Sequence, residues 1–482
     1  MPFGKAAPAW PWRLIALVAA LTVIRLAVGG ALHLTEDEAY YRLWSMVPAL
    51  GYYDHPPMIA WWIALGRALL GDTPLAVRLP PILGAAAASG LVWDLARRAG
   101  AGARAAERAG IWFNATLLVA AGGFLAVPDA PASLFWVLTL WLAQRATQAG
   151  RGAVIWWLGA GLAAGLATLS KYSALFLGPG LLIWLLWTPA GRGRLRTPGP
   201  WLALGVAAGV FSLNVGWNAT HHWLTFIKQF GRVAPGRWAP RYLAEFLISQ
   251  GLLLNPLIAV FAIKAMRRGA TPSFDKALFV AASAPFIAYL LIHGLHDRVQ
   301  AHWPAPIYPA IAILAAVAAE GARSSGWRAL RKATPWVGLA VMAALLVYLA
   351  ASNRFLRGAP DLAAPVRGWR AFAARIEAVR RAQGDRWVGA VSYGLAAQLL
   401  DEPSLKAPTL QISERDRWLD LGPAPDLARP GLIIDLPRRL TSARLGRCFA
   451  EVAPLGHLTR GGTDYAVFSV SRPRFDIAAR GC

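Results

Sequence analysis

The sequence predicts a mainly α, polytopic membrane protein that ends in a small soluble α/β domain. Three observations predict it. Of 482 residues, 56% are hydrophobic and only 15% charged, with 23 Trp, a balance a water-soluble chain of this size could hardly carry. Apolar runs of roughly 20 residues, the length that spans a bilayer, recur from the first turn to about residue 352. After residue 353 the pattern changes to short strand-like segments and amphipathic helices.

The apolar runs lie at about 12–32, 78–96, 109–127, 132–149, 153–169, 174–189, 199–217, 244–264, 277–294, 304–320 and 335–352, which makes about eleven spans. The stretch 58–71 is apolar but short and Gly-broken, as an interfacial helix would be. The first run has no small-residue cleavage site and reads as a retained helix. Arg25 within it is expected to face the bundle and pair with a carboxylate.

The formal net charge of +24 would suit nucleic acid, but the basic residues come as short clusters between apolar spans, as topology determinants do. Nucleic acid is therefore not an expected partner. Clusters at Lys5 and Arg13, Arg97 to Arg108, Arg145 with Arg151, 191–196, Lys264 to Arg268 and Arg323 to Lys332 fall on one face, the cytoplasmic one. The opposite face receives the acidic stretch after the first span, "VPDAP" at 127–131, "SKYS" at 170–173, the loop 221–242, "HGLHDRVQAHWP" at 293–304, and everything after about 353. Helices distant in sequence thus deliver their chemically active side chains to one side of the membrane. An extracytoplasmic active site is the economical explanation.

The chain divides into a transmembrane domain, 1–352, and a soluble domain, 353–482. In the latter, "RWVGAVSY", "PGLIIDLP" and "DYAVFSV" read as strands, and "VRGWRAFAARIEAVRRA" and "GLAAQLLD" as helices. Cys448 and Cys482 have no metal-binding or redox spacing; outside the cytoplasm they could pair or remain thiols.

Within "LTEDEAYYRLW", Asp37 lies at the rim of the first span between two further carboxylates, whose like charge favours holding a proton. Such a group suits a general base toward a hydroxyl or amine. The same residues read as a capping box, with Thr35 as cap and Glu38 at the third position, leaving Glu36 and Asp37 to face a cavity. In "GYYDHPPM", Tyr53 and His55 precede a stiff Pro pair and suit a sugar ring, although aromatic rings also gather at membrane interfaces. His55 with Asp37 or Asp54 could bind a divalent metal, but the spacing is generic.

Asp129 stands alone in a tight turn, as a second acid of the site or as an Asx-type turn residue. Lys171, followed by Tyr172, sits at the outer end of an apolar helix, where it can meet a lipid phosphate or snorkel to the interface. Arg298 and His302, with Lys228, Arg232, Arg237 and Arg241 in the preceding outer loop, are cationic positions suited to a phosphodiester.

No Walker loop, Rossmann glycine pattern, HExxH or nucleophile elbow is present. An energised enzyme facing away from the cytoplasm has no nucleotide supply, so an activated substrate would have to arrive already attached to a carrier in the membrane. A polyprenyl-phosphate sugar meets that description.

The ordered set "EDEAYYRLW", "GYYDHPPMIAWWI", "RLPPILGA", "VPDAPASLFW", "GLAAGLATLSKYSALFLGPGLLIWLL", "NVGWNATHHWLTFIKQFGR" and "RVQAHWPAPIYPA" resembles the GT-C glycosyltransferases that use polyprenyl-phosphate sugars. Within them it is similar to the bacterial protein O-mannosyltransferase-like branch that includes lipid A aminoarabinose and galacturonic acid transferases, over about residues 10–350. The resemblance implies a GT-C bundle in a bacterial inner membrane with a periplasmic site. It implies an inverting transfer in which Asp37 activates the acceptor while the lipid phosphate departs, with Lys171, Arg298 and His302 near the donor. The expected partners are a polyprenyl-phosphate (undecaprenyl-phosphate-like) donor, membrane lipids, and a lipid or glycan acceptor such as lipid A or lipopolysaccharide core. No cofactor is certain, and a divalent metal stays open. A protein acceptor, or a flippase for a polyprenyl-linked glycan, is the alternative, although the internal repeats that mark many transporters are absent.

Overall fold

The computed structural model describes residues 10–150, 152–231, 236–267, 276–351, 361, 363–418 and 424–482. They form two units, one of Met1–Val28, Asp54–Trp62 and Arg78–Leu345, the other of Gly29–Tyr53, Ile63–Val77 and Leu346–Cys482.

The first unit is helical. Each apolar run read from the sequence falls on a helix or a helix pair, from Trp12–Ala31 to Ser325–Ala351. Among the described residues, four helices are long and apolar enough to cross a membrane: Trp12–Ala31, Pro74–Arg98, Pro198–Thr220 and Ser325–Leu349. Two sharply bent pairs pass the same test as broken spans, and Met58–Leu70, Ala153–Thr168, Ala277–His293 and Ala305–Glu320 are shorter apolar helices.

The run at 244–264, expected as one span, is instead two helices, Arg241–Leu253 and Pro256–Arg267, bent by 107°. Asn255 adopts a left-handed φ of 71°, and the following Pro disfavours a helical residue before it. The buried Asn255 amide mends the break, donating to the carbonyls of Ala115 at 3.1 Å and Thr334 at 2.9 Å.

A second break falls at Thr116, whose extended backbone separates Ala103–Ala115 from Leu117–Gly122. There Arg25 donates to the Val119 carbonyl at 2.7 Å, so this buried cation serves a broken helix rather than the carboxylate expected from the sequence. A backbone acceptor at a helix end, away from water, supplies a comparable need for a donor.

Helices Ala153–Thr168 and Pro198–Thr220 approach closely because Gly161 and Gly165 face the crossing. A Cβ on Gly161 would lie 2.3 Å from the Ala203 carbonyl, and one on Gly165 2.6 Å from Val210 Cβ. Small residues four apart are a usual device for apolar helices that lack a hydrophobic drive to associate. The core of the unit combines buried Trp112, Trp136, Phe261, Phe279, Phe286 and Tyr308 with an alanine-rich face at Ala310, Ala312, Ala315, Ala316 and Ala319.

The second unit holds a five-stranded sheet in the order β2-β1-β3-β5-β4, with β1 Trp387–Ala390, β2 Thr409–Gln411, β3 Gly431–Asp435, β4 Phe449–Arg460 and β5 Thr463–Pro473. β1 runs parallel to β2 and β3, while β5 is antiparallel to β3 and to β4. Helices Trp369–Gln383 and Tyr393–Asp401 are those expected from the sequence. Gly461 and Gly462, both at positive φ, close the β4–β5 hairpin, where two successive left-handed residues match the strand twist. Trp387, Ile412, Ile433, Phe449, Val470 and Leu445 form the core, and Cys448 and Cys482 are joined as a disulfide beside it.

Candidate functional site

Most of the predicted residues form two groups, one in each unit. In the second unit, helix Glu36–Trp44 begins with the expected capping box: Thr35 Oγ1 accepts from Glu38 N–H at 3.3 Å, and Glu38 Oε2 accepts from Thr35 N–H at 2.9 Å. Glu38 is buried and used by the cap, whereas Glu36 and Asp37 project from the first turn. The helix also packs on Tyr393–Asp401, and Gln398 donates to the Leu34 carbonyl at 2.6 Å.

Asp37 Oδ1 accepts a hydrogen bond from the Tyr393 hydroxyl at 2.7 Å. The Tyr393 ring lies 4.9 Å from that of Tyr40, and the Arg417 guanidinium sits over it at 4.6 Å. The same guanidinium lies over the predicted sugar-site residue Tyr53 at 4.8 Å and is held by Glu414 at 2.8 Å. Glu36 lies against Gly394, where an added Cβ would come within 2.6 Å of its Oε2. Burial pushes the Glu36 carboxyl up from the usual carboxylate range; Arg460 and Arg439 oppose that, and Asp37 and Asp435 add to it. Tyr52, by contrast, is structural: its buried ring stacks on Trp44 at 4.5 Å and its hydroxyl meets the Trp44 and Val47 carbonyls.

In the first unit, Asp129 opens helix Asp129–Gln148 and is buried. Its Oδ1 pairs with Lys171 Nζ at 2.7 Å, and its Oδ2 lies 3.7 Å from His302 Nε2. His55 is near enough to act on the same carboxylate electrostatically. Four predicted residues, from four distant segments, therefore meet, and they carry more potential cations than the one acid neutralises.

Tyr172, next to Lys171, donates to Asn214 Oδ1 at 2.6 Å and packs among Phe211, Phe226 and Phe230. Those last two rings belong to helix Leu224–Phe230, which also carries Lys228 and Gln229; the Gln229 amide donates to the Asp54 carbonyl. Arg298 belongs to a different grouping. It is exposed, paired with Glu245 at 2.9 Å, and lines a surface hollow of about 500 Å³ with Arg241 and Tyr242. Arg232 lies outside the described residues. Among the described residues no group of three or more His, Cys, Asp or Glu side chains is arranged to hold a metal ion, His55 and Asp54 included.

Sequence reasoning missed Tyr393 and Arg417. Both lie in the terminal domain, more than 350 positions from Asp37 in the case of Tyr393, whose separation is 356. Their signal was the aromatic and basic residues following short strands, "VSY" and "ERDRW", which sequence alone does not join to the first loop.

Residues 54–217 match the model of the dolichyl-phosphate-mannose-protein mannosyltransferase family. The chain is 33% identical over 293 residues to the lipid A galacturonosyltransferase RgtD of Rhizobium johnstonii, a match covering 58% of this chain and 59% of that protein. It is 31% identical over 141 residues to an undecaprenyl phosphate-α-4-amino-4-deoxy-L-arabinose arabinosyl transferase of Pseudomonas aeruginosa, covering 28% of this chain and 24% of that one. The matches thus span less than two thirds of these relatives. In structure it is similar to ArnT from Cupriavidus metallidurans bound to undecaprenyl phosphate, with a TM-score of 0.64 and 18% identity, over 96% of this chain and 98% of ArnT. The chain therefore has the GT-C fold shared with ArnT, and over residues 54–217 it carries the sequence pattern of the dolichyl-phosphate-mannose-protein mannosyltransferase family.

Proposed function

We propose that the chain transfers a sugar from a polyprenyl-phosphate donor to a lipid or glycan acceptor, such as lipid A or lipopolysaccharide core, on the periplasmic side of a bacterial inner membrane. The observation that carries this reading is the Asp37 carboxylate, fixed at a helix start by a hydrogen bond from the Tyr393 hydroxyl to its Oδ1. A carboxylate held this way keeps a defined oxygen for accepting a proton.

Asp37 takes the proton of the acceptor hydroxyl as that oxygen attacks the anomeric carbon from the face opposite the phosphate. The bond from the anomeric carbon to the phosphate oxygen breaks, and the lipid phosphate leaves with the electron pair. Lys171, with His302 and His55 around Asp129, supplies the positive charge that the departing phosphate requires. Asp129 orients Lys171 rather than serving as a second base, and Lys228 and Tyr172 flank the donor. Arg298, held by Glu245, acts at the periphery, toward the anionic headgroup of an acceptor or of bulk lipid. The likenesses to the galacturonosyltransferase and the aminoarabinosyl transferase support this donor and acceptor class.

We read the helical run as eleven spans, with residues 1–352 as the membrane domain and the soluble domain, 353–482, on the face opposite the amino terminus. The disulfide between Cys448 and Cys482 supports that placement, because such bonds persist in oxidising compartments. Mass profiling of lipid A and surface glycans in a strain lacking the gene tests the function. A missing sugar mass on either is the expected result; unchanged masses on both would contradict it.

A further inference from the structure

The terminal domain of a membrane transferase is easily taken as an accessory, yet here its helix Tyr393–Asp401 touches the acid of the first loop. We propose that Tyr393 is a positioning residue for the base, so that the soluble domain forms part of the catalytic apparatus; the inference rests on the reading of Asp37 as that base.

The hydroxyl that meets Asp37 is placed by a rigid chain of contacts. Tyr393 is the first residue of its helix, separated from the end of β1 by Val391 and Ser392. The buried Asp435, at the end of β3, accepts from Val391 N–H at 2.9 Å, Ser392 N–H at 2.6 Å and Leu436 N–H at 2.7 Å, which ties the turn before Tyr393 to the adjacent parallel strand. The Tyr393 ring is then confined by Tyr40 on one side and Arg417 on another. Tyr40 itself packs on Trp44 at 4.8 Å and on Trp418 at 5.7 Å, and Trp418 is anchored by its indole N–H to Gln411 Oε1 at 2.6 Å on β2. Donor and acceptor of the Tyr393–Asp37 bond are therefore both held from the sheet side and the helix side.

A phenol donating to Oδ1 fixes the carboxylate plane, so that Oδ2 is the oxygen presented to the acceptor proton. A simple strut between two helices would not depend on the phenol hydroxyl, and this separates the two roles experimentally.

The charges around the pair are Glu36 and Glu38 on the helix of Asp37, Arg417 with Glu414 beside Tyr393, Asp435 and Arg439 at and beyond the end of β3, and Arg460. Tyr393→Phe alters none of them and keeps the ring.

The test uses the full-length detergent-purified protein with an undecaprenyl-phosphate sugar and lipid A, comparing Tyr393→Phe, Asp37→Asn and Gln398→Ala. Gln398 ties the same two helices through the Leu34 carbonyl without touching Asp37, and so reports a purely structural tether. Expected for Tyr393→Phe is a fall in kcat of about ten- to a hundredfold, the range for losing a hydrogen bond to a charged group, with donor KM unchanged. Gln398→Ala, which leaves the Tyr393 hydroxyl on Asp37, keeps the wild-type kcat. Wild-type kcat in Tyr393→Phe, or equal losses of kcat in Tyr393→Phe and Gln398→Ala, would overturn the proposal. If Asp37→Asn is inactive in that case, the base assignment survives; if Asp37→Asn retains turnover, the base assignment itself has failed.

Discussion

At the scale of the residue, the informative feature of Lys171 is that it is not an isolated cation. Its side chain is 12% exposed and pairs at 2.7 Å with the buried Asp129, and removing one member of so largely buried a pair leaves an uncompensated charge that costs about 3–5 kcal/mol. A single Lys171→Gln change would thus confuse folding with binding. The double change Asp129→Asn with Lys171→Gln removes both charges and is expected to restore stability. It should still raise the donor KM about ten- to a hundredfold, through loss of a charge-assisted hydrogen bond to phosphate. Titrated donor kinetics check this, and an unchanged donor KM in the folded double variant would refute a phosphate role for Lys171. Lys171, His302, Asp129 and His55 were legible in the sequence because a polar residue beside an apolar span is rarely idle. Their pairing was not, because nothing in local spacing says that the acid at 129 answers the lysine at 171. Arg298 shows the converse: its charge was visible, but its partner Glu245 lies 53 positions away.

Among the elements, the helices were the easiest to read and their breaks the hardest. Hydropathy marks the run at 244–264 as continuous, since Asn255 and Pro256 barely alter its average. The bend follows from the backbone chemistry of that dipeptide, which a window average discards. Strands β1, β3 and β5 were visible as β-branched and aromatic runs, but β4 was missed because Pro454 and Gly456 interrupt it at a register shift. The Gly461–Gly462 pair was a usable hairpin signal that, with β5, predicts a partner strand upstream. The disulfide joins β4's leading edge to the chain's last turn across 34 positions, and closing a loop of that size contributes about 4 kcal/mol in the chain-entropy account. Cys448→Ser, or reductant added to the wild type, should lower the thermal unfolding midpoint of the soluble domain by several degrees. Identical melting with and without reductant would mean that the bond is not formed in the protein as purified.

For the whole molecule, the sequence spoke clearly about class: an apolar helical chain with a small sheet-bearing region near its carboxyl end. It did not reveal that residues 29–53 and 63–77 share a unit with the terminal domain, because that association depends on packing such as Tyr40 on Trp418 and Glu36 over Gly394. The acid of the first loop is consequently set by side chains from the far end of the chain. Catalysis in this account turns on a single proton transfer to Asp37, and the most direct test is transfer by the purified Asp37→Asn variant, which keeps the shape of the side chain and removes its basicity. That variant is expected to be folded, to bind the polyprenyl-phosphate donor with wild-type affinity and to show no detectable sugar transfer. Turnover near the wild-type rate in that variant would contradict it.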